Sequence, residues 1–300
     1  MATTRILVRP RFLSTVRAKA ADYYALTKPE VNLLILMTTS AGYYLACRGP
    51  MRISGLLNTL FGTLLVASGT ATLNQWMERV WDSQMRRTAS RPVPAGRVSS
   101  REALCFGLLL SVAGGLYLGF AVNTLSALLA ISTLLSYLLI YTPLKRKTPL
   151  CTLLGAFPGA MPTLIGWAGV SATLNRQAWL LFAVLFLWQF PHFLAIALMY
   201  REDYDRAGYR MLPRFDRDAR FTRVEILIFT VVLVVVTAIP GLMVSNDIYS
   251  FIMVLAGAFM LFHVVKLTRS SYSRQLASRV VHASVLYLPA VLAVMIAWKR

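Results

Sequence analysis

The sequence predicts an all-α integral membrane protein with about nine transmembrane helices. Hydrophobic residues make up 57% of its 300 residues, and its mean hydropathy is +0.60. Charged residues account for only 14%, whereas soluble domains carry roughly 25%. Apolar runs follow one another along nearly the whole chain, and each is close to the roughly 20 residues that a helix needs to cross a bilayer.

Hydropathy places nine candidate spans along the chain. They lie near 31–47, 53–73, 103–121, 125–142, 150–170, 178–199, 224–243, 248–267 and 281–298. Gly and Pro inside the fifth span are compatible with a membrane bundle, where they allow close packing or a break beside a cavity. Because no long polar linker separates the spans, we expect residues 1–300 to form a single transmembrane domain, with residues 1–24 as a basic flank.

Basic residues are distributed unevenly between the two sides that nine spans define. The side that holds the N-terminus carries 26 of the 31 Lys and Arg residues, and of the 12 acidic residues only Asp247 falls on the opposite side. Cytoplasmic loops of membrane proteins are enriched in Lys and Arg, so we expect the N-terminus to be cytoplasmic. The net charge of +19 therefore follows topology and suits a lipid bilayer and anionic substrates rather than nucleic acid.

The basic flank before the first span allows two interpretations. It contains Arg5, Arg9, Arg11, Arg17 and Lys19 and has no acidic residue before Asp22. A short mitochondrial transit peptide has a similar composition. We interpret the flank as the cytoplasmic edge of the first span, in a multi-pass protein of the bacterial cytoplasmic (inner) membrane, with the mitochondrial inner membrane as the alternative.

Three oxygen-bearing side chains, Asn74, Glu78 and Asp82, follow the second span at intervals of four residues. On an α-helix this spacing moves each side chain about 40° around the axis, so all three share one face. Arginines follow within about two turns. Carboxylate and amide oxygens beside arginines at a membrane edge suit a magnesium-bound phosphate or diphosphate. The alternative is a solvated helix end with incidental charges.

A second acidic group, made of Glu202, Asp203 and Asp205, follows the sixth span. Like the first group it lies on the inner side and precedes a basic loop, and four spans separate the two groups. This arrangement resembles a weak internal repeat with one acidic edge in each half. Two such edges facing each other could hold a divalent cation between them; the alternative is a coincidence of solvated loops.

Cysteine and histidine residues carry weaker signals. Cys47, Cys105 and Cys151 lie in or beside separate spans and form no C-x-x-C pair, so we expect small apolar residues rather than a disulfide framework or a zinc site. His192 lies deep in the sixth span, where a polar group is costly unless it has a partner or a function.

The segment after the second span resembles the protohaem IX farnesyltransferase (haem O synthase) family of the intramembrane aromatic prenyltransferase superfamily. The resemblance covers roughly residues 25–295. Its central pattern is formed by Asn74, Glu78, Asp82, Met85, Arg87, Thr88, Arg91 and Pro92. Further matches, in order along the chain, are Thr27-Lys28-Pro29, Tyr141-Thr142-Pro143-Leu144-Lys145-Arg146, Pro191-His192-Phe193 and Asp203-Tyr204.

The resemblance implies a nine-helix bundle around a central cavity that is open sideways to lipid. It implies that farnesyl diphosphate, haem B and water give haem O and diphosphate with Mg²⁺ as cofactor, for haem-copper oxidase biogenesis. Haem A synthase or oxidase assembly proteins would be possible partners. The implied metal ligands are Asn74, Glu78, Asp82 and Asp203, the same four residues carrying the catalysis. The implied diphosphate contacts are Lys28, Arg87, Arg91, Lys145 and Arg146, and the implied haem contact is His192.

Two other classes of function stay open at this point. One is a related intramembrane prenyltransferase that acts on a quinone precursor or chlorophyllide. The second acidic group here reads Arg201-Glu202-Asp203-Tyr204 with His192 upstream, which favours haem. The other class is a membrane transporter, since acidic sites on repeated halves also suit ion coupling. Transporter acids usually lie near mid-membrane, whereas these follow the helices beside arginines.

Overall fold

The computed structural model describes residues 11–244, 247–270 and 272–299, and this part of the chain contains helices and no strand. A π-helical turn, Ser136–Tyr141, joins the helices Thr124–Leu135 and Thr142–Leu144, so Thr124–Leu144 is one continuous rod. The helices in chain order are α1 (Arg11–Leu26), α2 (Pro29–Ala46), α3 (Ile53–Asp82), α4 (Ser100–Ala121), α5 (Thr124–Leu135), α6 (Thr142–Leu144), α7 (Cys151–Ala168), α8 (Arg176–Met199), α9 (Arg201–Arg206), α10 (Leu212–Phe215), α11 (Arg220–Val244), α12 (Asp247–Arg269) and α13 (Arg274–Ala297).

Nine long helices in the described residues correspond one to one with the nine predicted spans. Eight of them are long and apolar enough to cross a membrane, the rod Thr124–Leu144 counting as one. The ninth is α2, whose 18 residues include Glu30 and Asn32 near its start. The predicted class, an all-α membrane protein of about nine helices, is therefore confirmed.

The second span differs most from its predicted boundaries. We expected it to end near residue 73, but α3 continues to Asp82 and has 30 residues. At 1.5 Å per residue such a helix is about 45 Å long, against about 30 Å for the hydrocarbon core of a bilayer. Hydropathy marks only the apolar part of a helix, whereas the backbone here stays helical through the polar residues that follow. The ninth span likewise begins earlier than expected, at Arg274.

Side-chain caps fix where several helices begin. The Ser99 hydroxyl accepts a hydrogen bond from the backbone N–H of Glu102, and the Glu102 carboxylate accepts one from the N–H of Ser99, so α4 starts with a capping box. Asn123 and Asn175 cap α5 and α8 through their side-chain oxygens, which accept hydrogen bonds from backbone N–H groups of the first turn. Each cap contributes about 0.5–2 kcal/mol to helix stability.

Close helix contacts in the first half depend on glycine. Along the interface of α3 with α4, Gly107 faces Leu73, and Gly114 faces Leu65 and Val66. A Cβ atom at Gly114 would come within 2.7 Å of the Val66 nitrogen. Lipid supplies no hydrophobic force between helices, so membrane bundles depend on close packing. Small residues permit that packing because they let the helix backbones approach closely. This contact holds the long helix α3 in place.

The second half packs around α8, which contacts α7 on one side and α11 and α13 on others. The rings of Phe190 on α8 and Phe229 on α11 stack with centroids 3.8 Å apart. Trp188 on α8 donates a hydrogen bond from Nε1 to the carbonyl oxygen of Ser284 on α13, at 2.7 Å. These contacts fix the orientation of α8 relative to α11 and α13.

The predicted basic flank, residues 1–24, lies partly outside the described residues. From Arg11 onward it is the helix α1. Lys19 forms an ion pair with Glu102 at 3.0 Å, and Asp22 forms one with Arg97 at 2.8 Å, so α1 is tied to the start of α4. The three cysteines are free, as expected; Cys47 and Cys151 are buried and Cys105 is exposed.

Candidate active site

The C-terminal end of α3 presents one polar face. Asn74, Glu78 and Asp82 lie on it and are 1%, 4% and 1% exposed. The residues from 70 to 82 include no Gly or Pro, so nothing in the sequence interrupts the helix there. The expectation that spacing of four puts these side chains on one helical face is therefore confirmed.

Each of these three side chains is bonded to a different cation of the protein. Lys28 donates from Nζ to Asn74 Oδ1 at 3.1 Å. Lys145 donates from Nζ to Glu78 Oε1 at 2.8 Å. Arg91 Nη1 lies 2.7 Å from Asp82 Oδ2. The structure thus brings three of the expected diphosphate contacts directly onto three of the expected metal ligands.

Lys28 reaches the site because of an unusual backbone conformation. Its φ of 52° and ψ of 64° are left-handed, which is uncommon for a residue with a side chain. Pro29 follows as the first residue of α2, a position that suits its fixed φ. Although Lys28 keeps some exposure, loss of water around its ammonium lowers its pKa to about 7, and the nearby positive charge of Arg91 adds to that shift.

Lys145 lies just beyond the π-helical turn. Its ammonium is 4.5 Å from the ring centroid of Tyr141 and 5.9 Å from that of Tyr137. Burial by itself would lower the pKa of Lys145, but the Glu78 carboxylate and the neighbouring tyrosines together outweigh it and hold the pKa well above its ordinary value. Lys145 is therefore a permanent cation, held between a carboxylate and two aromatic faces. Turns of π-helix within α-helices are frequent at functional sites.

The second acidic edge lies on the short helix α9 instead of at the end of the long helix α8. Asp203 is 9% exposed, whereas Glu202 and Asp205 are exposed to solvent. Arg206 Nη2 lies 3.6 Å from Asp203 Oδ1. Burial therefore singles out Asp203 from its acidic neighbours, a distinction that the sequence alone does not make.

Two contacts join the two edges. Arg87, in the loop after α3, donates from Nη2 to the hydroxyl of Tyr204 at 2.6 Å, and its guanidinium lies 5.0 Å and 4.7 Å from the ring centroids of Tyr200 and Tyr204. The backbone N–H of Arg210 donates to the carbonyl oxygen of Lys145 at 2.7 Å. Helix α9, which carries Asp203, and the loop that follows it are thus bound to the segments that carry Arg87 and Lys145.

Sequence reasoning missed the tyrosines of this site. Tyr209 is 2% exposed, and burial together with the charge of Glu78 raises the pKa of its hydroxyl. Tyr137, Tyr141 and Tyr204 contact the cations of the site through their rings. The available signal was proximity in sequence, because Tyr204 directly follows Asp203 and Tyr141 lies four residues before Lys145 within the motifs.

Two expected residues lie apart from the polar face of α3. Arg146 places its guanidinium 4.3 Å from the ring centroid of Trp81 instead of contacting a carboxylate. His192 contacts α13, where its Nδ1 lies 2.8 Å from Ser284 Oγ. The site therefore separates into two parts. One is a histidine on α8, and the other is a charged pole at the C-terminal end of α3, formed by Asn74, Glu78, Asp82, Lys28, Arg91 and Lys145.

The carboxylate and amide oxygens of the charged pole are ligands of the kind that a magnesium ion prefers. Asp82 Oδ1 is buried and has no hydrogen-bond partner among the described residues, and hard oxygen ligands are those that Mg²⁺ prefers. In the described part of the chain, no three His, Cys, Asp or Glu side chains form a ready metal cluster. Protein cations, not a closed ligand shell, balance the acidic charge in this arrangement.

The fold places the protein among membrane-embedded helical bundles of known structure. A structure described as digeranylgeranylglyceryl phosphate synthase in membranes matches with a TM-score of 0.77 and 17% identity, covering 93% of this chain and 98% of that chain. A UbiA homolog from Archaeoglobus fulgidus bound to DMAPP and Mg²⁺ matches with a TM-score of 0.69 and 15% identity, covering 91% and 99%. These likenesses establish a UbiA-type fold.

Sequence comparison defines the family. This chain belongs to the UbiA prenyltransferase family, which it matches over residues 35–288. It is 46% identical over 287 residues to protoheme IX farnesyltransferase of Solibacter usitatus (strain Ellin6076), covering 92% of this chain and 97% of that protein. It is 42% identical over 297 residues to the protein of that name from Koribacter versatilis (strain Ellin345), covering 96% and 94%. The family expected from the motif is confirmed.

Proposed function

We propose that this protein transfers the farnesyl group of farnesyl diphosphate to a vinyl group of haem B, with addition of water, to give haem O and diphosphate. The observation that carries the proposal is the buried face of α3, where oxygen ligands meet cations from three other segments. Relatives that are 39–46% identical and named protoheme IX farnesyltransferase support haem as the acceptor.

The charged pole would bind the diphosphate. Mg²⁺ would be held by Asn74, Glu78, Asp82 and Asp203, and as a Lewis acid it neutralises diphosphate oxygens. The related structures bound to DMAPP or GPP together with Mg²⁺ support a metal of this kind. Five basic side chains would donate charge-assisted hydrogen bonds to the same oxygens. They are Lys28, Arg87, Arg91, Lys145 and Arg146.

The reaction needs no nucleophilic side chain. Departure of diphosphate leaves an allylic cation on the farnesyl chain, and the π electrons of the haem vinyl group form the new carbon–carbon bond with it. Water then adds to the cation next to the porphyrin and releases a proton. Tyr137 and Tyr141 already hold the Lys145 ammonium against their rings, and such rings can shield an allylic cation from early attack by water. His192 would contact the haem.

The two other classes of function are less well supported. Other UbiA prenyltransferases share this fold, so the fold by itself does not choose between haem and a quinone precursor or chlorophyllide. The named relatives favour haem. For transport, acidic residues near mid-membrane would be expected, whereas Glu78 and Asp82 lie in the last turns of a helix about 45 Å long.

The proposed location is the bacterial cytoplasmic (inner) membrane, with the N-terminus in the cytoplasm. The excess of Lys and Arg on the side of the α3 and α9 loops supports this orientation. Farnesyl diphosphate would then reach the charged pole from the cytoplasm, and haem B would enter from the bilayer. Haem A synthase or oxidase assembly proteins are the proposed partners that receive the product.

Pigment extraction tests the proposal in a living membrane. The protein is expressed in a bacterial strain whose membranes lack haem O, and extracted haems are separated by chromatography. We expect a new, more hydrophobic haem with the mass of a hydroxyethylfarnesyl derivative. A strain that expresses the Glu78→Gln variant serves as the matched control. An unchanged haem profile with normal expression of the protein would contradict the proposal.

A further inference from the structure

Tyr209 has a fixed position in the loop that follows α9. Its backbone N–H donates to the carbonyl oxygen of Tyr204 at 2.9 Å. The backbone N–H of Gly208 donates to the carbonyl oxygen of Asp205 at 3.1 Å, and Gly208 itself has a φ of 72°. Two such hydrogen bonds around a left-handed glycine form a Schellman motif, which ends many helices. The motif therefore sets the direction in which the chain leaves α9 and the place of Tyr209.

Further contacts orient the side chain of Tyr209. Its ring meets the ring of Tyr204 edge-on, with centroids 5.8 Å apart. It belongs to a buried apolar cluster that also contains Met85, from the loop after α3. The next residue, Arg210, donates from its backbone N–H to the carbonyl oxygen of Lys145 at 2.7 Å. Tyr209 is thus held by α9, by the loop after α3 and by the segment that carries Lys145.

The hydroxyl of Tyr209 is buried without a partner. The residue is 2% exposed, and its Oη forms no hydrogen bond with any group in the described part of the chain. Buried polar groups are nearly always hydrogen-bonded, because an unpaired one has lost its contacts with water and gained nothing in return. Three other buried side-chain oxygens among the described residues share this condition, and one of them is Asp82 Oδ1.

This hydroxyl lies close to the charged pole. Burial raises the pKa of Tyr209, and the nearby Glu78 carboxylate raises it further. The hydroxyl and Glu78 are neighbours, but they do not meet the geometry of a hydrogen bond. Since its pKa is raised above the ordinary value for a phenol, the hydroxyl keeps its proton at neutral pH. Tyr209 is therefore a hydrogen-bond donor without an acceptor.

The two unpartnered oxygens in this region have opposite characters. Asp82 Oδ1 belongs to a carboxylate, which can accept a hydrogen bond or bind a metal ion. The Tyr209 hydroxyl can donate a hydrogen bond, and an anionic oxygen is its strongest kind of acceptor. A metal diphosphate offers a cation to the first and a phosphate oxygen to the second. One ligand would therefore satisfy both buried groups.

We propose that the hydroxyl of Tyr209 donates a hydrogen bond to an oxygen of the diphosphate, which makes Tyr209 a further substrate-binding residue. This inference rests on the proposed function, in which the charged pole binds the diphosphate. No proton is transferred: the electron pair of the breaking carbon–oxygen bond leaves with the diphosphate, and the hydroxyl keeps its proton. Negative charge on the diphosphate increases in that step, so a fixed donor also favours its departure.

Two tyrosine variants separate ligand binding from stability. Tyr209→Phe removes the unpaired hydroxyl, and Tyr117→Phe is the matched control. Tyr117 donates from Oη to Asn58 Oδ1 at 2.9 Å, near the opposite end of α3 from the charged pole. We expect Tyr117→Phe to lower the unfolding temperature without ligand, and Tyr209→Phe to leave it unchanged or raise it. A decrease in Tyr209→Phe as large as in Tyr117→Phe would mean that the hydroxyl is bonded within the protein and would overturn the proposal.

Calorimetry of the full-length protein in lipid nanodiscs tests the binding role. Inorganic diphosphate is titrated in the presence of Mg²⁺ into wild type, Tyr209→Phe and Tyr117→Phe. We expect Tyr209→Phe to bind diphosphate about 10- to 100-fold more weakly, the range for one hydrogen bond to a charged group. Tyr117→Phe should bind it like wild type. Wild-type diphosphate affinity in Tyr209→Phe would contradict the inference.

Mn²⁺ binding without diphosphate excludes an indirect effect through Glu78. If the hydroxyl contacts the diphosphate, all three proteins should bind Mn²⁺ equally well in electron paramagnetic resonance titrations. If Tyr209→Phe instead loses Mn²⁺ affinity and keeps its diphosphate affinity, the hydroxyl positions Glu78 and the proposed contact is wrong.

A fluorine label gives a readout that does not depend on removing the hydroxyl. 3-Fluorotyrosine is incorporated in place of Tyr209 or, as the control, in place of Tyr117. We expect the ¹⁹F resonance at position 209 to shift when Mg²⁺ and inorganic diphosphate are added, and the resonance at position 117 to stay in place. An unmoved resonance at position 209 with diphosphate bound would also overturn the proposal.

The outcomes distinguish this inference from the proposed function. If wild-type protein makes haem O and Tyr209→Phe binds diphosphate like wild type, the role of Tyr209 is wrong and the function stands. If Tyr209→Phe loses diphosphate affinity but wild-type protein prenylates a quinone precursor instead of haem, the role of Tyr209 stands and the choice of acceptor fails.

Discussion

Asn74, Glu78 and Asp82 on the buried face of α3 are each bonded to a different cation of the protein. Glu78 and Lys145 are almost fully shielded from solvent and 2.8 Å apart. Removing one partner of a buried ion pair leaves an uncompensated charge and typically costs about 3–5 kcal/mol. A ligand that brings its own positive and negative groups, such as a metal diphosphate, can satisfy both partners at once. In the free site, both carboxylates of α3 are thus already paired with cations before the substrate arrives.

The metal role of α3 can be tested at Asp82. Asp82→Asn removes the charge at Oδ1, a buried carboxylate oxygen that has no hydrogen-bond partner among the described residues. We expect Mn²⁺ binding in the presence of diphosphate, followed by electron paramagnetic resonance, to weaken by at least about tenfold, the lower bound for losing even an outer-shell partner. Turnover should fall with it, and EDTA should abolish turnover in wild type. Asp218→Asn, on an exposed loop, is the control. Wild-type Mn²⁺ affinity in Asp82→Asn would refute the metal role.

Lys28 should make diphosphate binding depend on pH. Its pKa is lowered to about 7, chiefly by burial, so its ammonium loses its proton as pH rises through about 7. Affinity for inorganic diphosphate in EDTA should therefore fall above that pH, by up to about tenfold per unit for a single required proton. Lys28→Arg stays charged and should lack this decrease. Comparing the two proteins by calorimetry from pH 6 to 9 removes the contribution of diphosphate ionisation. Parallel profiles would exclude titration of Lys28.

Among the helices, α3 is the one on which the site depends. It extends beyond the apolar span and carries the site on its last turns. Its contact with α4 relies on glycines, so the position of Asn74, Glu78 and Asp82 depends on packing several turns away. A larger residue in place of one of these glycines would overpack the contact, which typically costs about 1–3 kcal/mol.

Two glycines of α4 allow a matched test of that packing. A Cβ atom at Gly114 would lie 2.7 Å from the backbone nitrogen of Val66, whereas one at Gly119 would meet only the Cβ of Ala127 at 3.8 Å. We expect Gly114→Ala to lower the unfolding temperature in detergent by several degrees, in keeping with about 1–3 kcal/mol. Gly119→Ala should be neutral or slightly stabilising, since alanine favours helix. Equal unfolding temperatures would show that α4 shifts freely.

The sequence predicted the helices whose positions are set by hydropathy. It did not predict the features whose positions are set by polar contacts. Nine spans and the shared face of Asn74, Glu78 and Asp82 follow from periodicity and spacing alone. The extension of α3, the separate helix α9 and the π-helical turn before Lys145 do not. Their causes are tertiary hydrogen bonds and ion pairs, which leave no periodic pattern. For the same reason the pairing of Lys28, Lys145 and Arg91 with their acceptors could not be predicted, although the residues themselves were.

The distribution of charge along the chain predicts the orientation of the protein in the membrane. The loops that carry the charged pole lie on the side with 26 of the 31 Lys and Arg residues. An odd number of spans places the two termini on opposite sides. A reporter enzyme that folds only outside the cytoplasm should therefore be active when fused to the C-terminus, and a fluorescent protein that requires the cytoplasm should be dark there. A fluorescent C-terminal fusion would mean that the number of spans is even.

In the proposed reaction, one pole of this bundle ionises an allylic diphosphate while haem B serves as the acceptor. The most direct measurement uses the purified protein with haem B, farnesyl diphosphate, Mg²⁺ and an equimolar aromatic quinone precursor, with all products separated by chromatography and mass spectrometry. We expect haem O and diphosphate in equal amounts and an unchanged quinone precursor. A prenylated quinone precursor together with unchanged haem B would contradict it.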